Sequence, residues 1–456
     1  MKDIKLARFK DGAVDLLRHY LQPGSSAAAQ VIGAEEVAVL VASHVKVHRH
    51  RIYSPMDTLR LFVGQVLSAD RACQDVVGRR LSERVRCNQT HNTLNTASYC
   101  QARARLPLAI PEQLGARIGA RLEANAPCRW RWQGRSVKIF DATVVSMPDT
   151  QSNQQAFPQN SQERAGLGFP KARIGALIAL ASGAVLSYVI NACKGKGSGE
   201  QSMLHQLLPW IEAGDVILAD RLLASWWLIH DIEARGADLV MPQHARRATD
   251  FRRGQRLGRG DHVVQWSRPE RPRTMSLEQY HSYPEKIVMR EVKVNGRILV
   301  TTLCDEVCAP AAELGKLYSA RWNIEVDFRT IKSTLEMDVL RCKTKEMIEK
   351  EIAVCLLAYN LVRCAMASAA RLCELVPRAL SFTGAKRVLS NFADQLRHGV
   401  AGTITIVLHS IAALRLPCRP DRIEPRAKKR RPINLPLLTV PRHVARANIA
   451  RRKGLS

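Results

Sequence analysis

Residues Ser136 to Ser146, SVKIFDATVVS, read as a strand of alternating β-branched residues with a carboxylate in its middle. Strand alternation puts Val137, Ile139, Asp141, Thr143 and Val145 on one face. A loop rich in Gln, Asn and Ser follows, from Asp149 to about Gly168, and then Arg173–Ala181 and Ala184–Ala192 read as a hairpin. After the flexible stretch Lys194-Gly-Lys-Gly-Ser-Gly, Glu200–Glu212 has helical character. Asp215–Asp220, DVILAD, is a short apolar strand that ends in a second carboxylate. Leu222–Arg235 reads as a helix and Ala237–Met241 as a further strand. Three strands, helix, strand, helix, strand is an order that builds an α/β layer with acids on its first and fourth strands.

Residues 1–130 read as helical. Leu59, Phe62, Val63, Val66 and Leu67 recur at helical spacing between Met56 and Ala69. A second helix fits Ala72–Arg84. A third, Ser98–Arg105, opens on a Ser98/Gln101 capping box and is expected to expose Arg103 and Arg105. Three short helices ending on a basic one suit a DNA-binding module, or a plain helical domain. Residues 242–309 break the α/β pattern. Six arginines lie between Arg246 and Gly260, and strand-like runs follow at His262–Trp266, Lys286–Val294 and Ile298–Leu303, the last two joined by the hairpin signal Asn295-Gly296. Helices resume at Pro310, run to about Leu335, and return from Thr344 to Leu375. This divides the chain into 1–130, 131–241, 242–309, 310–375 and 376–456.

Charge narrows the partner. Lys and Arg number 69 against 41 Asp and Glu, a net charge of +28 that a polyanion would relieve. The segment Arg419–Lys453 alone carries twelve Lys/Arg against two Asp/Glu. The opening MKDIKLARFKDG has no apolar core of a secretory signal, and the apolar segment Ala172–Ile190 fits two strands better than a membrane span. Twelve cysteines lack a disulfide-like framework, and Cys304 and Cys308 have no second pair to complete a zinc site. They are expected to be reduced and mostly buried, in a cytoplasmic protein.

The chemistry concentrates in Tyr318–Lys332, YSARWNIEVDFRTIK. At 100° per residue, Tyr318, Arg321, Glu325 and Lys332 fall within about 60° of each other on a helix, with Trp322 at the edge of that face. A core stripe would be apolar, and a solvated face seldom adds Tyr and Trp to its charges.

The spacing Tyr-(2)-Arg-(3)-Glu-(6)-Lys resembles the signature of the insertion sequence family 4 transposases, a branch of the DDE transposases. FDATVV at Phe140–Val145 resembles that family's first Asp motif and LADR at Leu218–Arg221 its second. YNLVR at Tyr359–Arg363 is similar to the helix that follows the signature. The resemblance covers Ser136 to about Arg371. It implies an RNase H-like (retroviral integrase-like) core interrupted by a β-rich insertion, an N-terminal helical DNA-binding region, and a helical, basic C-terminal region. It implies a catalytic triad of Asp141, Asp220 and Glu325 that binds two Mg²⁺ or Mn²⁺ ions. Oxygen donors suit these hard cations, and a two-metal site serves both the attacking and the leaving oxygen of a phosphodiester.

The same resemblance implies DNA contacts by Tyr318, Arg321 and Lys332, assistance from Arg221, and an aromatic wedge for a flipped base in a DNA hairpin intermediate. Trp266 in the insertion and Trp322 in the signature are the two wedge candidates. The implied partners are double-stranded DNA at transposon terminal inverted repeats and at the target, with a homodimer on paired ends in a bacterial, nucleoid-associated setting and no membrane. Two other readings stay open: a domesticated DNA-binding repressor of transposition, and an RNase H-like structure-specific nuclease.

Overall fold

The computed structural model describes residues 34–45, 52–86, 88, 94–417 apart from 161, 165, 196 and 398, and 438–452. Most of the expected basic tail, and the first 33 residues, lie outside these.

A nine-stranded sheet forms the centre, in the order β3-β2-β1-β4-β5-β9-β8-β7-β6. Its first part is β1 (Val137–Ser146), β2 (Lys171–Ala179), β3 (Val185–Ala192), β4 (Val216–Leu218) and β5 (Asp238–Pro242). β1, β2 and β3 pair antiparallel, while β4 and β5 join parallel to β1. The short β4 is fully buried, as a strand covered on both faces must be. Alternation sorts the side chains. Val137, Ile139, Val216 and Leu218 face one layer of helices, and Phe140, Ile217 and Leu239 face the other.

Among the described residues, five α-helices precede the sheet: α1 (Ala34–His44), α2 (Pro55–Leu67), α3 (Cys73–Arg86), α4 (Ala97–Arg105) and α5 (Ala109–Ala124). α2 begins where Ser54 caps the backbone and Pro55 supplies a preset φ. α4 departs from expectation twice. It starts at Ala97 after Thr96 with no side-chain cap, so the Ser98/Gln101 box is not made. Arg103 is buried, its guanidinium 4.2 Å over the Phe62 ring and donating to Cys342 Sγ at 3.0 Å. The Arg stem and the delocalised cation satisfy an apolar wall here, leaving Arg105 as the exposed base of that helix.

Within the sheet's helical cover, α6 (Gln151–Ala156) interrupts the polar loop, α7 (Glu200–Leu207) follows β3, and α8 (Trp226–Glu233) lies between β4 and β5. Residues 242–309 do not form a sheet of their own. β6 (Gln255–Gly258), β7 (Asp261–Ser267), the helix α9 (Leu277–Ser282), β8 (Lys286–Val294) and β9 (Arg297–Thr301) extend the main sheet, because β9 pairs antiparallel with the otherwise open edge of β5. The Asn295-Gly296 turn has both φ angles positive, as a tight two-residue hairpin requires.

Pro310 is the N-cap of α10 (Ala311–Ser319). Helices run to about Leu335 as expected, but the stretch Tyr318–Lys332 read as one helical face is interrupted: α10 stops at Ala320, the chain restarts as α11 (Trp322–Arg329), and it ends in a π-helical turn, Thr330–Thr334. α12 (Lys345–Leu372) is long and apolar enough to cross a membrane, yet its most apolar stretch is buried inside the fold. α13 (Phe382–Asn391), α14 (Ala393–Arg397), α15 (Thr403–Ala413) and the exposed α16 (Arg442–Arg452) complete the described chain. Cys342, Cys355 and Cys364 are buried. The other seven described cysteines are part-exposed or exposed, so the described cysteines are not mostly buried as the sequence suggested.

Candidate active site on the sheet

Asp141 lies mid-strand on β1, and Asp220 lies two residues beyond the end of β4. The parallel register Val137↔Val216 and Ile139↔Leu218, carried two residues on, sets Asp220 level with Asp141 on the same face. Asp220 ends the strand by capping the next turn, its Oδ1 accepting from the Arg221 N–H at 2.7 Å. α11 packs on that same face through Ile324 and Phe328. Its register turns Glu325 toward the two aspartates.

Arg321 joins the group. Its Nη1 lies 3.3 Å from Asp141 Oδ2, and its Nη2 lies 3.3 Å from Glu325 Oε1. Its guanidinium lies 5.9 Å from the Tyr318 ring centre. Burial alone would weaken the Arg321 cation, but Tyr318, Asp141 and Asp220 hold its proton affinity above the usual value. Burial raises the Asp141 carboxyl first of all. The Ala142 N–H and Arg321 oppose that rise, and Asp220 and Glu325 add to it. Tyr318 is buried, which raises its phenol. Lys332 reaches back to β1, where its Nζ donates to the Val144 carbonyl at 2.9 Å. The chain after the π turn continues this attachment, with Leu340 N–H donating to Ser146 O and Ser146 N–H donating to Asp338 O. The signature residues thus converge although the helix carrying them is broken.

The remaining candidates separate. Trp322 is 51% exposed at the edge of the site. Arg221 is exposed beside Asp220. Trp266 is only 3% exposed. Its indole N–H donates to Glu291 Oε1 at 2.8 Å, Arg247 covers its ring at 3.6 Å, and its carbonyl accepts from the Trp226 indole at 3.1 Å. No base can stack on a ring enclosed in this way, so in this fold Trp266 is a packing residue. The cause is its parity on β7, which turns it into the apolar layer around α8.

One acid near the site carried no signal in the sequence. Glu200 opens α7, and its carboxyl is raised by burial first, then by Asp141 and Asp220, with Arg173 opposing. Gln201 ties that helix end to the loop after Asp220 by donating to Leu222 O at 2.9 Å.

Four neighbouring carboxylates, with the proton affinity of Asp141 and Glu200 raised by burial and by the acids around them, suit a hard divalent cation. In this conformation the guanidinium of Arg321 lies between two of them. Among the described residues no three His, Cys, Asp or Glu side chains stand close enough to enclose an ion. The oxygen donors are of the kind a hard divalent cation takes, and Arg321 occupies two of them through its guanidinium.

Residues 132–361 match the family model of the transposase DDE domain. The chain is 27% identical over 351 residues, 75% of its length and 78% of the relative's, to the transposase InsG for insertion sequence element IS4 of Escherichia coli (strain K12). Among solved structures it has a loose likeness to the piggyBac transposase synaptic complex with hairpin DNA, with 9% identity, a TM-score of 0.43, and coverage of 91% of this chain and 87% of that one. The family model takes in half of the chain, including the strand of Asp141, the acid of Asp220 and the helix of Glu325, and the chain belongs to the DDE transposases, as a DNA transposase of the insertion sequence family 4 type.

Proposed function

We propose that this transposase excises an insertion sequence by metal-dependent strand cleavage through a DNA hairpin, and joins the freed ends to target DNA. Asp141, Asp220 and Glu325 are the catalytic carboxylates. One observation carries the reading: Asp141 on β1 and Asp220 just past the end of the adjacent parallel strand β4 lie on one face, and a helix on that face brings a glutamate to the same arginine that holds the first aspartate. Enzymes of this family work with divalent metal ions, and the three carboxylates would hold two Mg²⁺ or Mn²⁺ here. When bound, such ions activate the attacking oxygen and stabilise the leaving one.

The chain's own residues do the rest. Arg321, released from Asp141 and Glu325, turns to a phosphate of the transposon end, with Lys332, Tyr318 and Arg221 as further DNA contacts. Trp322, exposed beside the triad, is the surface on which an unstacked base rests. β1 to β5 with their helices are the RNase H-like core, in two parts at 131–241 and 310–375, and 242–309 is the insertion. Residues 1–130 read the terminal inverted repeats, with Arg79, Arg86 and Arg105 exposed on α3 and α4. The active form is a homodimer on paired ends, working on the bacterial nucleoid, and 376–456 adds helical cover and a basic tail that holds phosphate.

The test is a cleavage assay. Purified protein is incubated with labelled DNA ending in the inverted repeat that flanks its own gene, with Mg²⁺ or with EDTA. A nick and then a hairpin, both metal-dependent and both reduced at least about a thousandfold in Glu325→Ala, are expected. Unchanged cleavage by Glu325→Ala would overturn the triad. Specific binding without cleavage identifies a regulatory descendant instead, and cleavage indifferent to the end sequence identifies a nuclease.

A further inference from the structure

Behind the helix that presents Glu325 lies a buried ionic clasp. Asp327 is two residues further along α11, so it points about 200° away from Glu325, into the protein. It is fully buried. Both of its oxygens lie 2.7 Å from Arg378 Nη1, and Arg363 Nη2 pairs with Oδ1. The Tyr359 hydroxyl donates to Oδ1 at 3.0 Å and accepts from Arg363 Nε at 2.8 Å. Arg378 in turn donates to Ala179 O at 3.1 Å and Leu180 O at 2.9 Å, at the end of β2. Gly183, in the β2–β3 turn at φ 76°, lies so near that a Cβ there would stand 2.7 Å from Arg363 Cζ. One carboxylate therefore ties three elements to the back of α11: α12, the 377–379 turn and, through Arg378, the β2–β3 turn.

We infer that Asp327 is a positioning residue for the reaction, holding the rotation and depth of α11 so that Glu325 meets Asp141 and Asp220. The need arises from the helix itself. α11 is only two turns long, broken from α10 at Ala320 and followed by a π turn, so its own backbone does little to fix its rotation. Lys332 hooks its far end to β1, and Asp327 supplies the second attachment, on the opposite side. Two Arg and a Tyr around one buried carboxylate specify a single geometry, because each donor has a fixed direction. Asp327 touches no substrate, and its effect passes through Glu325. The inference rests on the triad reading above.

The experiment compares wild type with Asp327→Asn and Arg378→Gln in single-turnover cleavage of end DNA, in Mg²⁺ and in Mn²⁺, alongside end-DNA affinity and thermal melting. Mg²⁺ demands near-ideal octahedral geometry, so a displaced Glu325 is expected to slow Mg²⁺-driven cleavage by about a hundredfold. Mn²⁺ is expected to recover most of that loss, at unchanged affinity for the DNA end. A residue that only stabilised the fold would scale both rates by the folded fraction and leave the Mn²⁺/Mg²⁺ ratio at the wild-type value, and that result overturns the inference. Arg378→Gln keeps Arg363 and Tyr359 on Asp327, so the ratio stays readable if Asp327→Asn melts too early, and an unchanged ratio there is equally decisive. Glu325→Ala in the same assay separates the two levels: if it cleaves normally the triad reading fails, whatever Asp327 does.

Discussion

Trp266 and Trp322 are the same residue type in two physical settings, and their substitutions are expected to report different quantities. Trp266→Ala empties an enclosed site and removes one of the two side-chain partners of the buried Glu291, and should cost about 3–5 kcal/mol in urea unfolding. Trp322→Ala removes a half-exposed ring, should leave unfolding almost unchanged, and should weaken a complex with a DNA hairpin by about 1–3 kcal/mol. Equal stability losses would show that Trp322 is packed in solution. Asp141 gives a pH prediction. Burial first, with Asp220 and Glu325, raises its carboxyl above the ordinary 3.8. The folded chain then binds more protons than the unfolded one in the window above 3.8, so ionising Asp141 costs stability as pH rises through that window. Without metal, Asp141→Asn is expected to gain in Tm relative to wild type as the pH climbs to neutrality. A Tm difference that is flat with pH would contradict this. Asp141, Asp220 and Glu325 were legible in the sequence because the short motifs that carry the family resemblance are local. Glu200 and Asp327 were not, since an acid at a helix start or among apolar neighbours looks the same whether it meets solvent, a carboxylate or two arginines.

The strands β1 to β5 and the helices α2, α3, α5 and α12 follow their hydrophobic periods closely, because each has a whole face to bury. α11 does not. Ala320-Arg321 carries no Gly, Pro or cap, and the helix breaks there because α10 and α11 pack on different partners, β8 and β1. The same logic explains α4, where Arg103 looks solvent-facing in a basic helix and is drawn inward by Phe62 and Cys342. At the α5–β3 contact, a Cβ on Gly119 would stand 2.4 Å from Val185 O, a backbone atom that cannot swing aside. Gly119→Ala is therefore expected to destabilise the fold by about 1–3 kcal/mol, against the usual gain of Gly→Ala in a helix. Urea melts that show the variant as stable as wild type would mean that α5 and β3 are not so close in solution.

Across the whole molecule the +28 charge governs encounter with DNA more than shape does. Six or more phosphate contacts would cut affinity by about a thousandfold or more between 50 and 200 mM salt. A titration in that range should show this for end and random DNA alike, and a salt-insensitive constant would argue against phosphate contacts as the main source of affinity. The positions of the strands, the polyanion-seeking charge and the Tyr-Arg-Glu-Lys spacing are properties of the chain read along its length, and the sequence by itself determined them. Tertiary structure alone decided that residues 242–309 continue the main sheet, since a free edge at β5 is a long-range opportunity that no local pattern records. It alone decided that Trp266 is enclosed, that α11 is short and clasped from behind through Asp327, and that Arg321 lies between two of the acids. Each of these depends on which distant side chain arrives to satisfy a buried polar group, and that identity is set only when the chain has folded.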